Sequence, residues 1–207
     1  HTELGRLFSK GGRTNDFRKL KTHLTLVATN LDSGQAVPFG RPGWDHIPIS
    51  QAVQASSALP GLFPPVEIED SYFVDGALIK TMHASVALDD GVDLMLCVNP
   101  LVPFDATSPK VAEVMRRGLS AEKHHIPRIV DGGLPAVLSQ TFRSMIHSRM
   151  VLGMKQYEHL FPNTDIILFE PDQRDPELYL ANTFSYSRRR ELAEHAYQQT
   201  RHMLRSR

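Results

Sequence analysis

Ala55-Ser56-Ser57-Ala58-Leu59-Pro60-Gly61-Leu62-Phe63-Pro64-Pro65, followed a few residues later by Tyr72-Phe73-Val74-Asp75-Gly76-Ala77, puts one carboxylate at the end of an apolar strand. Tyr72-Phe73-Val74 is rich in strand-forming side chains, and Gly76 behind Asp75 lets the backbone turn away with no side chain to clear. Open α/β sheets place their chemistry at such strand ends, where the carboxyl termini border a crevice. Asp75 is therefore the first catalytic candidate.

Upstream of this stretch, Leu24 to Thr29 reads as a strand, and Asp32-Ser33-Gly34 as a turn that reverses the chain into Gln35 to Phe39. An antiparallel hairpin flanking the main sheet is expected. Ser50 is a good N-cap for a short helix containing Ala52, Val53 and Ala55-Ser56, stopped by Pro60-Gly61. An activated serine is normally presented on a tight strand-to-helix turn beside a base, so Ser56 and Ser57, inside a helical pattern, are not expected to be nucleophiles. Downstream, a helix from about His83 to Leu88 ends before Gly91 and leads into the apolar run Leu94 to Val98. Strand, helix and apolar strand in succession predict a β-α-β unit with a right-handed crossover.

Three segments together carry a resemblance. Leu24-Thr25-Leu26-Val27-Ala28-Thr29-Asn30-Leu31-Asp32-Ser33-Gly34, the Ala55 to Pro65 stretch and Val74-Asp75-Gly76-Ala77 resemble the patatin-like phospholipases in order and spacing, over roughly residues 20 to 105. The resemblance implies an α/β, three-layer fold with a mainly parallel central sheet, incomplete in this chain, plus C-terminal helices. It implies a lipid acyl hydrolase with a Ser-Asp dyad, in which Asp75 is the catalytic Asp and lipid or other acyl esters are the substrate. The family's serine lies in Gly-x-Ser-x-Gly, which this chain lacks, as it lacks the Gly-rich oxyanion loop. Both belong upstream in the family, and the chain opens at His1. Residues 1–207 are thus expected to be the C-terminal part of one hydrolase domain, with a family-matching core over 1–105 and a helical extension with one late strand over 106–207. The missing N-terminal part would then be a partner of this one, and the chain alone would be inactive. Asn30 stands where the family usually has Asp, and Thr81-Met82-His83 where it more often has Asn and Pro. Asn keeps most of the turn-forming capacity of Asp. A non-catalytic lipid-binding or regulatory module of the same fold is the alternative.

An acyl hydrolase of this kind needs no cofactor. With 23 basic against 23 acidic residues, the chain has no net charge to neutralise phosphates, so nucleic acid is not an expected partner. The single cysteine, Cys97, lies within an apolar run and reads as buried and inert. No apolar segment approaches the ~20 residues needed to span a bilayer. A cytoplasmic or peripheral-membrane location is expected, the signal peptide being unassessable. Trp44, on the loop from Arg41 to Pro48, admits two readings: a ring dipping into a membrane interface, and a cover on the core edge, which is preferred.

Elsewhere the chain supplies competitors. Residues 1 to 20 carry Gly5, Gly11 and Gly12 and read as a loop, with no P-loop lysine following. Asp131-Gly132-Gly133 repeats the Asp-Gly-Gly pattern, but it lacks the upstream Ala-Ser segment, and Pro135 suits a turn before a helix. Among ten histidines, His124-His125 are adjacent rather than spaced for chelation, so no metal is expected. Val111 to Leu119 is a predicted helix, Pro127 to Pro135 a loop, Pro135 to Leu160 a helical stripe, Ile166 to Phe169 a strand, and the final helix begins near Ser187. On that helix Leu192, Ala196, Thr200 and Met203-Leu204 mark the apolar face, and Arg188-Arg189-Arg190 a solvated charged start rather than a lipid contact.

Overall fold

The structure is a computed structural model and describes residues 2–109, 128–175 and 189–205. It is a mixed α/β chain that divides into two compact units, His1–Gly91 and Val92–Arg207.

The first unit is built on a four-stranded sheet in the order β2-β1-β4-β3, with β1 Leu26–Asn30, β2 Ala36–Phe39, β3 Val66–Ile68 and β4 Ser71–Asp75. All three pairings are antiparallel. The expected β1–β2 hairpin forms, and Asn30 builds its turn: Oδ1 accepts from the backbone N–H of Asp32 at 2.9 Å and of Ser33 at 3.0 Å. The asparagine thus does the turn work an aspartate would do. Strand β3 was not anticipated, and it pairs with β4 across the two-residue turn Glu69-Asp70, both residues left-handed at φ 48 and 60. Such turns favour Asn and Gly. Asp70→Gly is expected to stabilise the hairpin by about 0.5 kcal/mol, the relief of the left-handed penalty outweighing glycine's entropy. A lowered urea midpoint would contradict this.

Helix α1, Thr2–Phe8, replaces the loop expected over residues 1 to 20. Leu4, Leu7 and Phe8 fall at helical spacing, and Phe8 packs against the core. Helix α2, Ile49–Ser56, presents Ile49, Ala52 and Ala55 to a core shared with Ala28, Phe39 and Phe73. Its two fully buried alanines let the helix approach closely. Ser50 is not its N-cap. Asn15 caps it instead, accepting from Ser50 N through Oδ1 at 2.8 Å and from Ile49 N through its carbonyl at 3.0 Å. Helix α3, Ser85–Leu88, is shorter than predicted because Met82 and His83 are left-handed, at φ 73 and 36. Trp44 makes edge-to-face contacts with Phe39 at 5.5 Å and Phe73 at 5.9 Å, so its ring covers the core.

The predicted β-α-β unit from β4 through α3 to the next strand does not form within one sheet. Both edges of β4 are already taken, by β1 and by β3. The parallel pairing belongs to the second unit, where β5, Leu94–Val98, pairs in register with β6, Asp165–Phe169. Between them in sequence lies helix α4, Gly133–Leu160, whose buried positions include Ile146, Met150 and Tyr157. Met95 and Cys97 form the buried face of β5, while Leu94, Leu96 and Val98 are exposed. Helix α5, Arg189–Arg205, is half-buried at Leu192, His195, Thr200 and Met203, whereas Ala196 and Leu204, predicted on that face, are exposed. The predicted helix 111–119, the pair His124-His125, Ser187 and Arg188 lie outside the described residues.

Candidate active site

Asp75 is the last residue of β4, with Ala28 opposite it on β1. Three elements hold its backbone in place. Its N–H donates to the carbonyl of Ala58 at 3.1 Å, which docks the Ala58 to Pro65 loop onto the strand end. Its carbonyl accepts from Thr29 Oγ1 at 3.1 Å. Beyond it a 3-10 turn, Gly76–Leu78, carries the chain away, and Ala77 N–H donates to Asp75 Oδ1 at 2.8 Å.

The carboxylate is half-buried, and burial pushes its pKa up, against the opposing pull of the Ala77 bond and of nearby His83. Among the described residues Ala77 N–H is its only hydrogen-bond donor, and it engages Oδ1 alone. Oδ2 is left to accept a proton. A raised pKa and an unengaged oxygen are what a general base needs.

Gly76 is required by crowding. A Cβ there would stand 2.6 Å from the carbonyl oxygen of Val27 and 3.3 Å from His83 Nε2. His83 Nε2 donates to the Gly76 carbonyl at 2.8 Å. Arg41 fixes the far side of this loop: its guanidinium holds Asp90 through Nη1 and Nη2, and Nη2 also donates to the Val86 carbonyl at 2.8 Å. Neither His83 nor Arg41 was singled out by sequence, and only the unusual Thr81-Met82-His83 run gave a signal for the former.

Ser56 Oγ donates to the Val27 carbonyl at 2.8 Å from inside α2. Ser57 is the exposed C-cap of the same helix. Neither is presented on a strand-to-helix turn. The rival Asp131 sits in a 3-10 turn leading into α4, where Oδ2 accepts from Arg128 N–H at 2.6 Å. It caps a turn, far from any strand end in sequence. Cys97 is buried, and burial raises its thiol pKa, which leaves it protonated and unreactive. Among the described residues no group of three His, Cys, Asp or Glu is arranged to hold a metal ion, and no helix is long and apolar enough to cross a membrane.

A concavity of about 300 Å³ is lined by Phe17, Arg18, Lys21, His23, Gly40 and Asp45 among others, and Asp75 is not part of it. Arg18 there is engaged by both oxygens of Asp16. Beside Asp75 in the chain's hydrogen-bond pattern, the loop that Ala58 anchors exposes Leu62 and Phe63, 56% and 48% accessible. Residues 2–88, which contain Asp75 and everything that holds it, match the patatin-like phospholipase family.

Proposed function

We propose, from the premise that residues 2–88 form a patatin-like phospholipase segment, that Asp75 is the base of a Ser-Asp dyad in a lipid acyl hydrolase. The family acts on lipids as acyl hydrolases, which sets the reaction class. The observation that carries the assignment to Asp75 is the half-buried carboxylate at the end of β4, with one oxygen held by Ala77 N–H.

In this reading a serine hydroxyl attacks the ester carbonyl while Asp75 takes its proton. The tetrahedral intermediate collapses, the acyl group stays on serine, and Asp75 returns the proton to the departing alcohol. Water then attacks the acyl-enzyme with Asp75 again as base, releasing the fatty acid and restoring the serine. Burial raises the basicity of Asp75, the direction in which a carboxylate must move to act as base without histidine.

The serine comes from outside these 207 residues, since no Gly-x-Ser-x-Gly occurs in them. The exposed pair Leu62-Phe63 would face the lipid, giving peripheral contact with an aggregate or membrane surface. The missing motif also favours a second reading, a lipid-binding module of the same fold.

A fluorophosphonate probe applied to the full protein separates the two. Labelling of a serine in a Gly-x-Ser-x-Gly segment outside residues 1–207 is expected, with no label on this chain alone. A label on a serine within the 207 residues would overturn the assignment of the nucleophile. No label on the full native protein would favour the binding module.

A further inference from the structure

The peptide group joining Gly76 to Ala77 is hydrogen-bonded at both ends. Its N–H, on Ala77, donates to Asp75 Oδ1 at 2.8 Å, and its carbonyl, on Gly76, accepts from His83 Nε2 at 2.8 Å. We propose that His83 is a positioning residue that sets the orientation and basicity of Asp75 through this shared peptide. This rests on the reading of Asp75 as the base.

A donor placed on an amide carbonyl draws electron density toward the oxygen and makes the N–H of the same amide a stronger donor. The chain His83 N–H, peptide, Asp75 carboxylate is therefore one polarised unit. A carbonyl only accepts, so Nε2 must carry the proton. Burial, the largest influence, and the neighbouring Lys80 charge disfavour the imidazolium, while the bond to the Gly76 carbonyl and the Asp75 charge favour it, and the balance lies below the ordinary histidine value. Lys80 Nζ itself donates to Ser85 Oγ at 3.0 Å. The ring is thus held as the neutral tautomer protonated at Nε2.

The backbone is contorted to bring the ring there. Met82 and His83 are consecutive non-glycine residues in the left-handed region, at φ 73 and 36. Strain of this kind persists where the surroundings over-determine it. The Gly76 carbonyl also takes Ile79 N–H at 3.2 Å, so the same oxygen anchors the 3-10 turn.

The experiment compares wild type, His83→Ala and His83→Gln in the full protein, Gln keeping an N–H donor. Nitrogen-15 shifts of the wild-type ring should report the Nε2-protonated tautomer; the Nδ1-protonated tautomer would overturn the proposal. In His83→Ala the Ala77 amide proton should move upfield and the carbon-13 titration of the Asp75 carboxyl should move to higher pH. His83→Gln should return both toward wild type. Turnover in His83→Ala should fall about two- to tenfold with KM unchanged, because the carboxylate loses orientation worth about one neutral hydrogen bond, and that loss outweighs its small gain in basicity. Unmoved Ala77 and Asp75 signals in a folded His83→Ala protein would reduce His83 to a stability role and overturn the proposal. The resonance measurements do not depend on turnover, so loss of the hydrolase reading alone would leave them intact.

Discussion

Asp75→Asn in the complete protein is expected to lower ester hydrolysis by about 10²–10⁴-fold, the range of a general base, while the fold survives. Asn Oδ1 can still accept from Ala77 N–H, so the turn keeps its bond. What disappears is the proton acceptor. Stability should hold or rise, for a reason of sign. Burial raises the Asp75 pKa in the folded protein. Between its unfolded and folded pKa values the folded state retains a proton that the unfolded state has released, so stability falls as pH rises through that window and stays level above it. At neutral pH the wild type therefore carries the cost of a buried ionised carboxyl, and Asn does not. Near-normal turnover, or a large fall in melting temperature, would remove Asp75 from the role of base.

Gly76→Ala is expected to cost about 1–3 kcal/mol, the usual penalty for overpacking, and to reduce activity with it. The new methyl would lie 2.6 Å from the Val27 carbonyl oxygen, a backbone atom inside β1 that cannot step aside as a side chain would. Relief requires either β1 or the Gly76–Leu78 turn to move, and both support the carboxylate through Thr29 and Ala77. Urea unfolding of the variant beside wild type reads this directly. A wild-type midpoint would show that the strand end tolerates the displacement.

Local signals in the sequence located the carboxylate and the first hairpin. Tyr72-Phe73-Val74 before Asp75-Gly76 and the Asp32-Ser33-Gly34 turn are self-contained patterns, readable without knowing what packs on them. Strand β3 escaped because Glu69-Asp70 adopts a turn that such residues seldom occupy. Asn15 escaped as a helix cap because it acts on Ser50 from 35 residues away. The apolar run of β5 announced a strand but not its neighbour: nothing in Leu94 to Val98 says that its partner is Ile166 to Phe169 rather than β4. His83 was visible only as an odd residue, since its role depends on backbone angles that a histidine rarely takes.

The antiparallel sheet also bears on how the site comes into being. The hairpins β1–β2 and β3–β4 close over short turns, whereas β1 reaches β4 only across the 46 residues separating Thr29 from Asp75. Closing that larger loop is the slower and entropically costlier event, rewarded only once the strands meet. One hairpin brings Thr29 and the Val27 carbonyl, and the other brings the carboxylate. Until they dock, Asp75 is an ordinary solvated aspartate; its basicity is acquired in the same step that completes the sheet.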